Sequence, residues 1–555
     1  MALSEDDIVV FVGPNNAGKS AALRDLEKLI RHGDDPSQVC YVIKNATLTK
    51  TGSEDELLHF LANNTNVTGA SPARTFQSGR AGGIPEGPAR QWWRGTLNSL
   101  GPLFFLRIPT EQRIIDGNPT GANDMLKHQP GHPIQWLYLR DDLELKLSQI
   151  FRRAFGEDLI VYRLNGSQIP LLVGERPVPS EGEDRLSIGY NKRLMEQALE
   201  LQSQGDGMRS FATVILRLFA SGGASIVLLD EPEAFLHPPQ ARLLGETIAR
   251  HRSTAQQLFI ATHSEDVLQG LFNVTRGKLR IVRLQRSGSV NRVRELDRTL
   301  AQKISADPLM RYSGVLSGVF HQRAIVCEAD SDCMFYSSIL DLPSVNGADA
   351  PDALFVQSNG KHRMASLAET LRAFDVPVDV IADIDVLNDL DVLERIVNAL
   401  GGDWASIESH AKIVQNSVEN GTKWLDASEV AKQIAEIVRQ PQQPGSFPSS
   451  KAEEIKKVLG KSSPWAIVKN AGQAAIPAGD ATKRLNILFQ LCSEIGLWIV
   501  PVGEVEGFCK SQGDHGPKWV RRVLEEHDIA TSPELQAARD FVGRIWSRLR
   551  PQGPL

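Results

Sequence analysis

The stretch Gly13-Pro14-Asn15-Asn16-Ala17-Gly18-Lys19-Ser20 leaves the chain few folds to choose from. It fits G-x-x-x-x-G-K-[S/T], a glycine-rich loop whose backbone N–H groups cradle phosphates. Before it, Ile8-Val9-Val10-Phe11-Val12 is an unbroken β-branched and aromatic run, the pattern of a buried parallel strand. After it, Ala21 to Ile30 carries apolar residues at helical spacing. Strand, loop and helix therefore stand in the order that phosphate binding needs. The amides around Asn15, Asn16, Ala17 and Gly18 and the helix N-terminus would face the β- and γ-phosphates of a nucleotide. Lys19 would add a positive charge, and Ser20 a hydroxyl ligand for Mg²⁺. The expected fold class is α/β.

At 555 residues the chain exceeds what one core holds, and about two to four domains are expected. With 41% hydrophobic and 23% charged residues its composition is that of a soluble globular protein. No run of about eighteen apolar residues is present to span a membrane. The acidic start Ser4-Glu5-Asp6-Asp7 is the opposite of a signal peptide, so the expected location is cytoplasmic. Cys40, Cys327, Cys333, Cys492 and Cys509 are odd in number and scattered, which fits reduced thiols and neither a disulfide framework nor a zinc site. The net charge of −6 means that nucleic acid, if bound, must be met by a local basic groove or by metal ions.

Along the chain, residues 64–133 read as an irregular, Gly- and Pro-rich insertion. Within it Gln91-Trp92-Trp93-Arg94 reads as two packed tryptophans in preference to a platform for stacking DNA bases. Pro133 to Phe155 reads as one long amphipathic helix. Leu159–Tyr162 and Ile169–Val173 read as strands around an Asn165-Gly166 turn. A polar turn, Ser203-Gln204-Gly205-Asp206-Gly207, then opens a helix over Phe211–Phe219 and offers a second phosphate site. Ile226–Pro232 is a buried strand ending in Asp230 and Glu231, one placed to hold Mg²⁺ through water and the other to polarise an attacking water. The strand Leu258–Thr262 ends at His263, which can sense a γ-phosphate. A hairpin, Leu279–Leu284 with Val290–Leu296 around Ser287-Gly288-Ser289, closes a first domain spanning 1–300. A helical connection over 301–322 leads to a second domain, 323–530, and to a C-terminal helix and tail, 531–555, the helix running from Ser532 to Leu549.

In the second domain three apolar strands each finish in carboxylates. Ala324–Glu328 is followed by Asp332 and a helix from near Cys333, Val378–Ala382 by Asp383 and Asp385, and Leu497–Val502 by Glu504 and Glu506. Parallel α/β sheets place their sites at that strand edge. Aligned carboxylates repel unless cations neutralise them, so one or two divalent ions with oxygen ligands are the economical explanation. Two such ions roughly 4 Å apart can activate water and stabilise a leaving oxygen of a phosphodiester. Residues 402–490 read as a helical insertion, interrupted by a linker at Gln440–Gly445.

GPNNAGKS, SQGDG as a degenerate signature, LLDEPEAFLHP and THS together resemble the ABC-type ATPases, the class shared with SMC heads. The resemblance implies ATP as cofactor and a head-to-head homodimer, each ATP lying between one subunit's P-loop and the other's signature, with Ser203 and Gly205 as nucleotide contacts. The strands that usually precede the P-loop are missing or supplied elsewhere. VCEADSD and ADIDVLND resemble the Toprim domain of topoisomerases, primases and related nucleases. An ABC ATPase followed by Toprim is similar to the OLD (overcoming lysogenisation defect) family of ATP-dependent nucleases, an architecture that Gabija-type and retron-associated nucleases share. The resemblance implies that Glu328 and Asp332 bind one metal, Asp383 and Asp385 another, and that Glu506 joins them. It also implies a late lysine that stabilises the transition state, Lys518 or, second to it, Lys510; Ala329 stands where the motif has glycine. The function so implied is an ATP-regulated, Mg²⁺- or Mn²⁺-dependent DNA endonuclease serving antiphage defence, with a helicase or a retron reverse transcriptase and its non-coding RNA as system partner. The alternative is a non-cleaving, ATP-driven DNA clamp of the SMC-head type.

One consequence follows directly from the P-loop reading. Lys19→Ala should abolish nucleotide binding, while Glu231→Gln should keep binding but slow hydrolysis. Titration with a fluorescent ATP analogue checks both, and equal affinity in Lys19→Ala and wild type would remove the P-loop assignment.

Overall fold

Ile8–Val12 forms β1, with each of its five residues buried, and the rest of the N-terminal unit is laid around this strand. A computed structural model describes residues 1–33, 35, 39–122, 130–219, 224–252, 256–275, 279–288, 290–296, 314–347, 350–421, 427–439, 447–461 and 464–548. It divides into two compact units, Met1–Arg311 and Tyr312–Leu555.

In the first unit β1 leads through the glycine loop into α1 (Lys19–His32), followed later by β2 (Phe105–Ile108), α2 (Thr110–Asp116), α3 (Asp206–Phe219), β3 (Ile226–Asp230), β4 (Gln257–Ala261), β5 (Leu279–Ser287) and β6 (Val290–Glu295). These strands make one six-stranded sheet in the order β6-β5-β1-β4-β3-β2. All neighbours run parallel except the β5–β6 hairpin. Burial on both faces explains why β1 and β3 are continuous apolar runs with no alternation. Val9, Phe11, Leu23, Leu26, Leu228 and Phe259 pack in one core beneath the sheet. Register sets the strand ends side by side, with Phe11 and Asp230 both opposite Ala261.

The stretch 64–133 is more regular than its composition implies. It holds a small antiparallel sheet (Asn66–Thr68, Thr75–Ser78, Gly82–Pro85), a helix Glu86–Arg94, and β2, which fills the edge of the main sheet beside β3. That edge strand and the β5–β6 hairpin complete the sheet around the P-loop strand. Trp92 and Trp93 pack against the core, and Trp93 Nε1 donates to Gly52 O at 3.0 Å. The single helix expected over Pro133–Phe155 is two, Pro133–Leu139 and Asp141–Phe155, because Arg140 is extended at φ −127°, ψ 96°. The helix α3 starts at Asp206, five residues ahead of Phe211. Of the connection expected over 301–322, residues 301–313 lie outside the described residues, and Val315–Phe320 forms a 3₁₀ segment. Ser289 and the Gln440–Gly445 linker also lie outside the described residues.

The second unit is built on β7 (Arg323–Cys327), α4 (Asp330–Leu340), β8 (Ala353–Gln357), β9 (Val378–Ala382), α5 (Pro464–Ala471), β10 (Leu497–Ile499), α6 (Pro517–Glu526) and α7 (Gln536–Ser547). Its four-stranded sheet, β8-β7-β9-β10, is parallel throughout. Residues 402–490 carry helices Trp404–Gly421, Ala427–Arg439, Ser449–Lys461, α5, and most of Asp480–Ile495. The C-terminal helix begins at Gln536, after a 3₁₀ turn Pro533–Leu535 that the sequence reading merged with it, and Leu549 lies outside the described residues. No described helix is long and apolar enough to cross a membrane.

Asp379 pins this unit together. It is fully buried on β9, where its Oδ1 accepts from Trp498 Nε1 and from Arg548 Nε, both at 2.9 Å, and Arg323 Nε lies 3.6 Å from Oδ2. One carboxylate thus joins strands β7, β9 and β10 to the segment after α7. Removing it strands Arg323 as a buried cation, and breaking such a pair destabilises by about 3–5 kcal/mol. Asp379→Ala should therefore lower the denaturant midpoint of the Trp498-reporting transition, with nucleotide binding by the first unit unchanged. A midpoint equal to wild type would contradict the assignment.

Candidate functional site

The ends of β1, β3 and β4 bring the first set of groups together. Gly13 has φ +142°, and a Cβ there would stand 2.0 Å from Leu284 O, so the loop can pass only as glycine. Gly18, at φ +95°, turns the chain into α1. Lys19 is buried, and its Nζ donates to Gly13 O at 2.7 Å and Pro14 O at 2.8 Å, which folds the ammonium over the loop. Ser20 Oγ donates to Asp230 Oδ1 at 2.8 Å, so the two groups expected at Mg²⁺ converge from separate elements. Burial raises the Asp230 carboxyl above its ordinary range, and a cation beside it would offset that.

Glu231 sits at φ +45°, a backbone state that costs a side-chain-bearing residue about 1–3 kcal/mol. That turn presents Glu231 Oε1 to His263 Nε2 at 3.2 Å. Burial first, then the Lys19 charge, pushes the imidazole down to about 4, so it is neutral at pH 7 and its Nε2–H can donate to Glu231. Sequence reasoning missed Glu233, whose Oε1 accepts from Thr262 Oγ1 at 2.7 Å and from His263 N at 2.8 Å. Its signal was the third acid of the D-E-P-E run. Ser203 and Gly205 are exposed ahead of α3, and Ser203 Oγ donates to Glu200 O at 2.7 Å. Gly207 is fixed by packing, since a Cβ would stand 2.7 Å from Phe235 O in the segment after β3.

In the second unit the ends of β7 and β9 place Glu328, Asp383 and Asp385 so that one carboxylate oxygen of each lies within 4.8 Å of the others. Glu328 Oε2 and Asp385 Oδ1 are buried and have no hydrogen-bond partner. Burial raises the Glu328 and Asp383 carboxyls against the opposing pull of Lys469, and repulsion from Asp385 on Glu328 and from Glu328 and Asp332 on Asp383 adds to it. Orphaned hard oxygens under that repulsion suit a divalent ion such as Mg²⁺ or Mn²⁺. Asp332 is pushed up to about 6 by burial and by Glu328 and Glu506, while its Oδ2 accepts from Ala329 N at 3.0 Å. Glu506 groups with Glu504 and His515, and its Oε1 accepts from Gly516 N at 2.7 Å. Glu328 thus clusters with the D-x-D pair, whereas the pairing read from the sequence joined it to Asp332.

The lysine expected at the site is also different. Lys518 and Lys510 are both exposed. The described lysines that touch the carboxylates are Lys469 on α5, 3.1 Å from Asp383 Oδ2 and 3.7 Å from Glu504 Oε2, and Lys361, 3.2 Å from Asp385 Oδ2. Burial works against the Lys469 ammonium, but Asp383 and Asp385 outweigh it and hold its pKa above the ordinary lysine value. Lys469 lies in the helical insertion and Lys361 follows β8, a strand the sequence reading passed over although Ala353-Leu354-Phe355-Val356 is an apolar run. A further cluster, Cys509, His527 and Glu534, is satisfied internally, with Ser511 Oγ donating to Glu534 Oε2 at 2.8 Å and Cys509 Sγ 3.6 Å from His527 Nε2.

The first unit is therefore an α/β P-loop ATPase domain built on a parallel sheet. Residues 102–268, which include β2, Asp230, Glu231 and His263, match the family model described as AAA domain, putative AbiEii toxin, Type IV TA system. No curated protein matches the chain. Among solved structures it is similar to the SMC head domain from Thermotoga maritima (12% identity, 54% of this chain and 92% of that chain, TM-score 0.27). It is also similar to the Smc head domain bound to the C-terminal domain of ScpA from Pyrococcus furiosus (10% identity, 55% and 93%, TM-score 0.30). A third is an ATP-binding cassette of an ABC transporter in its ADP conformation (12% identity, 56% and 88%, TM-score 0.24).

The raised carboxyls give the second site a pH signature. Metal binds the ionised carboxylates, so binding must displace their protons where the pKa values are raised. Mn²⁺ affinity should therefore increase as pH rises through the raised titrations of Glu328 and Asp383, and be weaker at pH 5 than at pH 7.5, with protons released on binding. Calorimetry in two buffers of different ionisation enthalpy reads the affinity and the proton release together. Affinity constant across that range would contradict the arrangement.

Proposed function

We propose that this chain is an ATP-regulated, divalent-metal-dependent DNA endonuclease, with ATP hydrolysed in the first unit and phosphodiester bonds in a Toprim-type second unit. The observation that carries the reading is the pair of buried, partnerless acceptors, Glu328 Oε2 and Asp385 Oδ1, at adjoining ends of parallel strands with two lysines against them. A divalent ion bound there supplies an activated water and charge stabilisation on the leaving oxygen. Lys361 holds Asp385 through its Oδ2 at 3.2 Å. Lys469 takes the transition-state role assigned from sequence to Lys518: it stands 3.1 Å from Asp383 Oδ2, where its ammonium would meet a phosphate held at the cluster. Glu504 then keeps Lys469 aimed at the site.

In the first unit Lys19 would carry the phosphate charge, Ser20 and Asp230 would hold Mg²⁺, Glu231 would polarise the water, and neutral His263, which donates to Glu231, would read the γ-phosphate. Ser203 and Gly205, exposed before α3, serve the P-loop of a second copy, which makes the working form a homodimer. The matching family's description as a putative toxin accords with a nuclease whose damage must be restrained until needed, as in antiphage defence.

Asp383→Ala and Glu328→Ala should lose metal-dependent plasmid nicking by roughly a thousandfold or more. ATP hydrolysis should persist in both, because its residues lie on different strands of the other unit. Lys469→Met should lower nicking while metal binding is kept, and Lys518→Met should nick as wild type does. If Asp383→Ala nicks at the wild-type rate, the second unit is not the nuclease and the non-cleaving clamp replaces this reading.

A further inference from the structure

Cys509, His527 and Glu534 in the second unit are separated along the chain, and the fold gathers them into a group that shares no residue with the Glu328 cluster. One ligand atom of each stands within 4.8 Å of the other two. Cys509 is buried in the core, where its carbonyl accepts from Trp519 Nε1 at 3.2 Å. His527 is half-buried directly after α6, and Glu534 is exposed in the 3₁₀ turn ahead of α7. The group therefore runs from core to solvent, which gives an ion a way in.

The contacts that satisfy this group also fit a cation. Cys509 Sγ and His527 Nε2 are 3.6 Å apart. Zinc holds sulfur at about 2.3 Å and nitrogen at about 2.0–2.1 Å, so at a tetrahedral angle those two ligands stand about 3.6 Å from each other. The imidazole tautomer is set as well. Gln512 Nε2 lies 2.8 Å from Glu526 Oε2, a carboxylate oxygen that accepts, so the donor end of this amide faces His527 Nε2 at 3.2 Å. That ring nitrogen is thus the acceptor, and its lone pair is the one a metal takes. Ser511 N and Oγ donate to Glu534 Oε1 and Oε2 at 3.0 and 2.8 Å, which orients the carboxylate and leaves each oxygen a second lone pair. Ser511 Oγ, 3.4 Å from Cys509 Sγ, or a water completes four ligands. Thiolate, imidazole and carboxylate together suit Zn²⁺, whereas Mg²⁺ and Mn²⁺ prefer all-oxygen sets such as the Glu328 cluster.

We propose that Cys509, His527 and Glu534 form a Zn²⁺ site that clasps the segment after Glu506 to the end of α6 and to the turn before α7. On binding, the Cys509 thiol loses its proton to solvent, and the ion takes the His527 lone pair that Gln512 now holds. The site stands whether or not the second unit cleaves DNA, because it shares no ligand with Glu328, Asp383 or Asp385. The clasped segment nevertheless reaches the acids at the strand ends: its Gly516 N donates to Glu506 Oε1 at 2.7 Å.

The test takes the full chain, stripped of metal by a chelator, and titrates it with Co²⁺ or Zn²⁺ alone. Co²⁺ reports the ligands directly, because a thiolate bound to it gives a near-ultraviolet charge-transfer band and four-coordination gives intense visible bands. Wild type should show both, Zn²⁺ should abolish them stoichiometrically, and Zn²⁺ should raise the melting temperature by binding the folded state. Competition with a chromophoric chelator reads the affinity. His527→Gln and Glu534→Gln should each weaken Zn²⁺ binding by more than the roughly ten- to hundredfold that loss of an outer-shell partner costs. Cys509→Ser should lose the charge-transfer band, and Cys40→Ser, a thiol of the first unit, should keep it. Zn²⁺ held only by the Glu328 cluster would give Co²⁺ spectra without the sulfur band, and that result overturns the proposal. So does a band that survives in Cys509→Ser, or wild-type affinity in either His527→Gln or Glu534→Gln. Should Cys509→Ser fail to fold by thermal melting, the half-buried His527 and exposed Glu534 decide: a wild-type band and affinity in either variant overturns the site.

Discussion

A parallel strand covered on both faces can leave a charged side chain unpaired only where it ends, and that constraint governs both units. The apolar runs Ile8–Val12, Ile226–Asp230 and Gln257–Ala261 leave their polar business to the turns that follow, and register lines those turns up along one edge. The same rule places Glu328 and Asp383 at the ends of Arg323–Cys327 and Val378–Ala382. Charges brought so close in low dielectric repel, and each unit answers the repulsion differently.

In the first unit the carboxylates are spread between cations and hydroxyls of the same layer. Ser20 donates to Asp230, neutral His263 meets Glu231, and Glu233 accepts from Thr262 Oγ1 and His263 N. In the second unit the answer is two lysines, one for each aspartate of the D-x-D pair. Because these lysines come from the turn after Ala353–Gln357 and from the helical insertion, they tie two segments outside the strand ends to the state of the carboxylates. A divalent ion at the cluster would draw on the same carboxylates that Lys361 and Lys469 now pair, so its binding and the position of Lys469 would be linked by electrostatics. Through Lys469 the helical insertion reaches the carboxylate cluster itself.

The family match adds a boundary to this picture. It runs over residues 102–268, from the edge strand through the Asp230-Glu231 turn to the helix after His263, and leaves out both the glycine loop and the second unit. The glycine loop rests instead on its own steric evidence, above all on Gly13, whose close approach to Leu284 no side chain could survive.

Sequence alone determined the strand ends and the acids on them, because a continuous apolar run followed by turn and carboxylate is local information. It determined the P-loop for the same reason: strand, loop and helix are adjacent in the chain. It misjudged residues 64–133, where short elements among Gly and Pro carry too little periodicity to read, although Phe105–Ile108 completes the main sheet. Arg140 broke an otherwise unbroken amphipathic pattern through its backbone angles, which no spacing encodes. Which acids share a cluster, which lysine faces them and which carboxylate holds His263 were decided only by the tertiary fold. Glu328 and Asp385 are distant in sequence, as are Lys469 and Asp383. Their pairing depends on strand order and on the paths of the intervening helices. A side chain's chemistry is local, but the field it feels is set by whatever the fold packs beside it.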